Sequence, residues 1–310
     1  MTGIRFDGRT AIVTGAGTGL GRAHALGLAA RGANVVVNDL GVAKDGSIQG
    51  SDAANAVIAE IKNMGGRAIA NGANVANYEQ VQSMIQDAIS TFGAVDILIN
   101  NAGILRDKTF AKMDLDDMRL VLDVHLMGSV NCSKAVWPHM LEREYGRIVM
   151  TTSPSGIYGN FGQTNYGAAK AGVVGLMNVL AQEGARKNIR VNTLAPTAAT
   201  RMTEGLLAQD VMDLLQPDSI THGVLALVSE DAPNKMILGA GAGCFAEIKI
   251  IETQGVALVG DDLSAEGVMA AMDQIRNVEG AQTIPDAFGQ TRKYARTAAA
   301  ARGLPLPWND

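Results

Sequence analysis

Short apolar runs and longer amphipathic runs take turns along this chain. The short runs fall at residues 10–14 (Thr-Ala-Ile-Val-Thr), 34–38, 67–70, 95–99, 146–152 and 189–194. Bounded by Gly, Asn and Pro, they read as strands. Between them lie helical segments at 22–31, 52–64, 77–91 and 115–143, and one more that runs to about residue 187. This alternation predicts an α/β fold, a single doubly wound parallel sheet with helices on both faces. No linker or internal repeat interrupts it.

The pattern loosens after residue 196. Residues 200–215 are rich in Met and Leu and lie between Pro196 and Pro217, which suggests a mobile helical segment over a site. A helix is expected at 218–228, a glycine-rich and then strand-like stretch at 237–245, one more strand at 247–251, and a last helix at 264–277. The tail after Gly280 is partly apolar and is expected to wrap a neighbouring subunit or to stay loose. Residues 41–50 form a polar loop longer than most strand-to-helix connections, with Ser51 placed to cap the next helix.

Composition narrows the class. Apolar residues make up 47% of the 310 positions, ample for a large core, and aromatics only 4%. The net charge of −5 argues against nucleic acid as the main partner. No run approaches the ~18 apolar residues of a membrane span, and residues 1–8 lack the apolar core of a signal peptide. Cys132 and Cys244 lie far apart in apolar surroundings, away from any His cluster. A reduced, cytoplasmic protein without a metal site is the expectation.

The first strand runs into Thr14-Gly15-Ala16-Gly17-Thr18-Gly19-Leu20-Gly21. The spacing is T-G-x-x-x-G-x-G, through Gly15, Gly19 and Gly21, because Leu20 stands where G-x-G-x-x-G would need glycine. A glycine turn between a strand and a helix brings backbone N–H groups and a helix N-terminus up to a pyrophosphate. A plain tight turn would use the same glycines. The second strand ends in Asp39, whose carboxylate could accept hydrogen bonds from ribose hydroxyls and repel a 2′-phosphate, so NAD is expected over NADP. Asp39 could instead only cap the next turn, and Arg22 and Lys44 are the cations that would spoil the preference. The fourth strand ends in Asn100-Asn101-Ala102-Gly103, small and amide residues suited either to ligand contact or to a turn.

Residues 153–170 carry the candidate chemistry. Tyr166 and Lys170 are four apart and share one helix face. An ammonium beside a phenol favours the phenolate, which would lower the Tyr166 pKa and suit it to proton transfer. Ser153, at the end of the preceding strand, could hold a substrate oxygen beside it. An interfacial Tyr and a solvated Lys at this spacing are the plain alternative, yet Tyr166 alone of the five tyrosines has a Lys four residues on.

Together, the glycine turn, Asn100-Asn101-Ala102-Gly103, and Ser153 ahead of Tyr166-x-x-x-Lys170 resemble the short-chain dehydrogenase/reductase family over residues 7–245. The resemblance implies a Rossmann-type sheet of about seven strands and a nicotinamide cofactor. It makes Tyr166 the acid/base, Lys170 the residue that tunes it and holds the nicotinamide ribose, and Ser153 the group that orients the substrate oxygen. Residues 6–9, 37–41, 100–107, 155–163 and 195–203 are similar to one subgroup, the (3R)-hydroxyacyl-CoA dehydrogenase part of peroxisomal multifunctional enzyme type 2. That subgroup also carries a C-terminal extension. The implied organisation is a dehydrogenase domain at 1–245 and an extension at 246–310, packed on the same domain or on a neighbouring subunit.

Several positions depart from the family pattern. His125, in Asp123-Val124-His125-Leu126-Met127-Gly128, stands where the family often has the Asn of a proton relay. Its backbone carbonyl could still hold a relay water; a satisfied buried histidine is the alternative. Asn74 replaces the Asp common before the adenine-lining Val75, and Pro196-Thr197 replaces Pro-Gly beside the cofactor. The resemblance thus implies an NAD-dependent dehydrogenase of a (3R)-3-hydroxyacyl-CoA, with Arg106, Lys108 and Lys112 either meeting CoA phosphates or forming a solvated basic loop. A steroid, terpene or other apolar alcohol is the alternative substrate, and a non-catalytic NAD-binding regulator the remoter one. The partners implied are a small-molecule substrate and a second copy of the chain, as a dimer or tetramer.

Overall fold

A computed structural model of the chain describes residues 3–41, 52–198 and 209–305. Outside them lie most of the loop expected at 41–50 with Lys44, the Ser51 cap, residues 199–208 of the Met- and Leu-rich segment, and the end of the tail.

Eight strands form one sheet: β1 Thr10–Thr14, β2 Asn34–Asn38, β3 Arg67–Asn71, β4 Ile97–Asn100, β5 Gly146–Thr151, β6 Ile189–Pro196, β7 Ile237–Gly241 and β8 Cys244–Ile248. Their order is β3-β2-β1-β4-β5-β6-β7-β8. Every pairing from β3 through to β7 is parallel. β1, β2, β4 and β5 are buried along their whole length, which explains why they read as apolar runs. The turn Ala242-Gly243, with φ of 51° and 75°, joins β7 to β8. Two residues between hydrogen-bonded neighbours can only reverse the chain, so β8 is an antiparallel edge strand. It takes the place of the strand expected at 247–251.

The order places a switch point between β1 and β4. From β1 the chain builds outward through β2 and β3, then returns to the other side of β1. The crevice outside the carboxyl ends of β1 and β4 is where such sheets take ligands. Helix α1 (Gly19–Ala29) rises from this edge and packs closely on a helix at Pro217–Leu227. A Cβ on Gly27 would stand 2.5 Å from Thr221 Cγ2, so glycine permits the approach. His24 is buried in this contact with Nδ1 2.9 Å from Thr221 Oγ1, and burial lowers its pKa to about 3.

The other helices that frame the sheet are α2 Asp52–Asn63 and α3 Tyr78–Phe92, the latter capped by Asn77. The long helix expected at 115–143 is three pieces: α4 Leu115–Leu122, a π-helical turn Asp123–Met127, and α5 Gly128–Arg143. No Pro or Gly lies within the widened turn; instead Ser129 Oγ donates to the His125 carbonyl at 2.7 Å, and Gly128 lets Val75 in close. A short helix α6 (Pro154–Tyr158) precedes α7 (Thr164–Gly184). Helices α8 (Gln209–Leu214) and α9 (Pro217–Leu227) follow.

The chain divides into two compact units, Met1–Glu247 and Ile248–Asp310. Within the second, the helix expected at 264–277 is two short ones, α10 Ala265–Ala270, capped by Ser264, and α11 Met272–Arg276. It is not the last: α12 (Ala287–Ala301) follows, capped by Asp286. Lys293 on α12 ties Glu252 to it at 2.7 Å.

Candidate active site

Four features of the sequence meet at the carboxyl edge of the sheet. The first is the glycine turn. Gly15 and Gly19 adopt φ of 62° and 55°, which side-chain-bearing residues resist. A Cβ on Gly21 would lie 2.2 Å from the Gly15 carbonyl oxygen, and one on Gly17 2.7 Å from Asp39 Oδ2. The Gly17 N–H donates to that oxygen at 2.7 Å, and the Gly41 N–H to Asp39 Oδ1 at 2.8 Å. Asp39 therefore joins the end of β2 to the turn, and each carboxylate oxygen keeps acceptor capacity for a hydroxyl. Thr18 is the N-cap of α1 but makes no side-chain capping bond. The first-turn N–H groups of Gly19, Leu20 and Gly21 face this edge with the positive end of the helix. A backbone cradle beside a held carboxylate fits a dinucleotide: the cradle suits the pyrophosphate and Asp39 the adenosine ribose.

The second is the end of β4. Thr14 Oγ1 accepts from the N–H groups of Asn101 and Ala102, each at 3.0 Å. Asn101 Nδ2 donates to the carbonyls of Thr14 and Gly15 at 3.0 and 3.1 Å. Asn101 thus clamps the glycine turn to β4. Gly103 makes room for His125, whose Cε1 would lie 2.3 Å from a Cβ there. Asn74 Oδ1 accepts from Ala76 N at 3.0 Å, and the Val75 carbonyl accepts from Asn131 Nδ2 at 2.9 Å. Pro196 ends β6, and the exposed Thr197 pairs through its N–H with the Ala240 carbonyl at 2.8 Å.

The third is the Ser-Tyr-Lys set. Ser153 is buried and caps α6, its Oγ accepting from Ser155 N at 3.1 Å. A Cβ on Gly156 would lie 2.6 Å from Lys170 Cβ, so glycine lets α6 sit directly on α7. That contact brings Ser153 near Tyr166, close enough for its hydroxyl to act on the phenol pKa. Lys170 is buried, donates from Nζ to the Thr151 carbonyl at 2.6 Å, and lies 5.5 Å from the centre of the Tyr166 ring. Burial lowers its pKa to about 7. The Tyr166 pKa is raised, contrary to the lowering expected from Lys170. Burial is the main cause and the Asp107 charge adds to it, while the hydrogen bond with Ser153 acts the other way. The spacing of Tyr and Lys carries the geometry but not the burial, and burial decides the sign.

The fourth is His125, in the π-helical turn. Its ring meets Tyr166 edge-on, centroids 5.1 Å apart. Nε2 lies 2.7 Å from the Ile104 carbonyl oxygen and 3.1 Å from the Ile104 nitrogen, and the buried Nδ1 has no partner. Burial first, then the Lys170 charge, holds the imidazole pKa well below its usual value, so the ring is neutral. The His125 carbonyl accepts the Ser129 hydroxyl.

The basic loop after β4 is largely paired. Lys108 Nζ lies 2.8 and 3.0 Å from Asp114 and Asp117, and Arg106 Nε 3.8 Å from Asp117. Lys112 is exposed. Asn165, which the sequence did not single out, is fully buried; its Nδ2 donates to the Arg106 carbonyl at 2.9 Å and its Oδ1 accepts from Tyr166 N at 2.7 Å. Among the described residues no helix is long and apolar enough to cross a membrane, and no group of three or more His, Cys, Asp or Glu could hold a metal.

Comparison with known proteins agrees with this architecture. The family model for short chain dehydrogenases matches residues 9–210. A short-chain type dehydrogenase/reductase of Mycobacterium tuberculosis is 48% identical, over 88% of this chain and 96% of its own length. Peroxisomal multifunctional enzyme type 2 of Mus musculus is 44% identical over 92% of this chain, which spans only 39% of that protein. The solved structure of a 7α-hydroxysteroid dehydrogenase, complexed with NADH and 7-oxo glycochenodeoxycholic acid, superposes with a TM-score of 0.69. It is 33% identical and covers 77% of this chain and 95% of its own. The chain belongs to the short-chain dehydrogenase family.

Proposed function

We propose that this short-chain dehydrogenase uses NAD to interconvert a secondary alcohol and a ketone, with Tyr166 as acid/base and a (3R)-3-hydroxyacyl-CoA as the alcohol. The observation that carries the reading is the meeting of Ser153, Tyr166 and Lys170 beside the glycine cradle, with α6 set directly on α7 and the Lys170 ammonium 5.5 Å from the centre of the Tyr166 ring. When bound, the nicotinamide accepts or supplies the hydride. In reduction the Tyr166 phenol gives its proton to the substrate oxygen; in oxidation its phenolate takes the hydroxyl proton. The Ser153 hydroxyl holds the same oxygen as its charge changes. Lys170 uses one donor on Thr151, which leaves two for a ribose hydroxyl, and its charge favours the phenolate whenever it is protonated. The low pKa of the His125 imidazole points to a role for its backbone carbonyl, which accepts the Ser129 hydroxyl and keeps a second lone pair for a relay water. Asp39 supports NAD, because its carboxylate would stand against a 2′-phosphate.

The substrate rests on the similarity to the dehydrogenase part of the multifunctional enzymes. The ion pairs of Arg106 and Lys108 weaken their assignment to CoA phosphates. A steroid or other apolar alcohol is the second reading, favoured by the likeness to the hydroxysteroid dehydrogenase. A homodimer or tetramer belongs to the same proposal.

The test follows NADH absorbance with purified protein, NAD or NADP, both 3-hydroxyacyl-CoA stereoisomers, and CoA-free secondary alcohols. Turnover selective for NAD and the (3R)-thioester is expected. Turnover of free alcohols alone would move the substrate to the second reading. NADH binding without turnover of any alcohol would make the chain a regulator.

A further inference from the structure

The loop that leaves β4 is stitched to the π-helical turn at Ile104 and to the segment entering α7 at the next three points, Arg106, Asp107 and Lys108. Ile104 is held by His125, and the Arg106 carbonyl by Asn165. Asp107 Oδ2 accepts from Gln163 Nε2 at 2.7 Å, and Lys108 forms a parallel bridge with Gln163. Gln163 also reaches the other way. Its Oε1 accepts from Ser155 Oγ at 2.7 Å and from Asn160 Nδ2 at 3.1 Å. Its carbonyl accepts from Gly167 N at 2.7 Å, inside the first turn of α7. The amide orientation is unique, because Asp107 only accepts and Asn160 Nδ2 only donates.

One side chain therefore joins three segments: the loop after β4, the helix that Ser153 caps, and the start of the helix that carries Tyr166. We infer that Gln163 is a positioning residue for the dehydrogenation proposed above, on which this inference rests. Its amide fixes Asp107 and Ser155 against the start of α7 and so holds Ser153 and Tyr166 at their working separation. Glutamate at 163 would set a carboxylate against Asp107, and an apolar residue would leave Ser155, Asn160 and Asp107 without their shared partner.

The same link holds the carboxylate of Asp107 towards the phenol. Among the described residues, the titratable groups around Tyr166 are Lys170 from the next turn of α7, the neutral His125 from the π-helical turn, and Asp107 from the loop. Arg106 and Lys108 direct their charge to Asp114 and Asp117. Asp107 opposes phenolate formation, and its exposure lets solvent screen most of that effect.

The experiment measures kcat, KM and the pH dependence of kcat for alcohol oxidation, with NADH binding by fluorescence and thermal melting as controls. The proteins are the unaltered chain, Gln163→Leu, Asp107→Asn, and the exchange Asp107→Asn with Gln163→Glu. In the exchange the new amide at position 107 donates and the new carboxylate at position 163 accepts, so every contact keeps a donor and an acceptor. Gln163→Leu is expected to lower kcat by about 10- to 100-fold, the scale of small misplacements at reacting groups, with NADH affinity unchanged. Asp107→Asn is expected to move the limb that requires phenolate to lower pH. The exchange is expected to recover most of the kcat lost by Gln163→Leu. If Gln163→Leu fails to fold, the exchange decides alone: a folded exchange with kcat close to that of the unaltered protein supports the inference, and a folded one slowed about 10-fold or more, although its contacts are rebuilt, overturns it. Unchanged kcat and pH profile in a folded Gln163→Leu also overturn it, leaving the dehydrogenase reading intact. An unaltered protein that binds NADH but oxidises no alcohol overturns both.

Discussion

Asp39 Oδ2 accepts a 2.7 Å hydrogen bond from the N–H of Gly17, so the carboxylate proposed to read the ribose also builds the turn proposed to hold the pyrophosphate. Substituting Asp39 by Ala is therefore expected to act twice. It should weaken NADH binding by loosening the turn and reduce discrimination against NADPH by removing the charge. Fluorescence titration with both cofactors checks this. Weaker binding with the same NADH-to-NADPH ratio would leave Asp39 as a turn residue only.

Thr14 Oγ1 joins β1 to the end of β4, accepting two N–H bonds and donating to the Ile99 carbonyl at 3.3 Å. Thr14→Val keeps the shape and leaves the Asn101 and Ala102 N–H groups without that acceptor. A loss of about 1–3 kcal/mol in stability is expected, the usual cost of buried polar groups left unmatched. The denaturant midpoint measures it.

Lys170 gives stability a pH dependence. Its folded pKa, lowered to about 7, lies below that of an ordinary lysine, near 10.5. Between these values the unfolded chain binds a proton that the folded chain does not, so this contribution rises with pH across the window. It is smallest below pH 7. Tyr166, raised in the fold, acts oppositely, but only above the ordinary tyrosine value of 10. Melting temperatures from pH 6 to 9 are expected to rise for the unaltered protein relative to Lys170→Met. A constant difference would show that Lys170 is charged in the free protein throughout.

The strands were legible because β1, β2, β4 and β5 are buried on both faces and so wear unbroken apolar runs. The glycine turn was legible because Gly15, Gly17 and Gly21 each answer a steric demand. The π-helical turn at His125 was not, because its causes are tertiary: Ser129 bonding back to a carbonyl, Val75 pressing on Gly128, and Gly103 admitting the ring. The helix α12 carries a local cap, Asp286 three residues before Gly289, but of its residues only Ala299 is buried, so no core-facing stripe marks it in the sequence. The role of Gln163 was not legible, because its partner Asp107 comes from the loop after β4, 56 residues away, which local spacing cannot reveal. The sign of the Tyr166 shift also depends on burial and not on the four-residue interval.

The central claim is that the Tyr166 hydroxyl moves the proton. The most direct test is the rate of NADH formation by Tyr166→Phe beside the unaltered protein, on whichever alcohol the latter oxidises, with NADH binding measured on both. The expected result is a loss of about 10²- to 10⁴-fold in kcat, the usual contribution of a general acid/base, with NADH still bound. Full turnover by Tyr166→Phe would contradict the account.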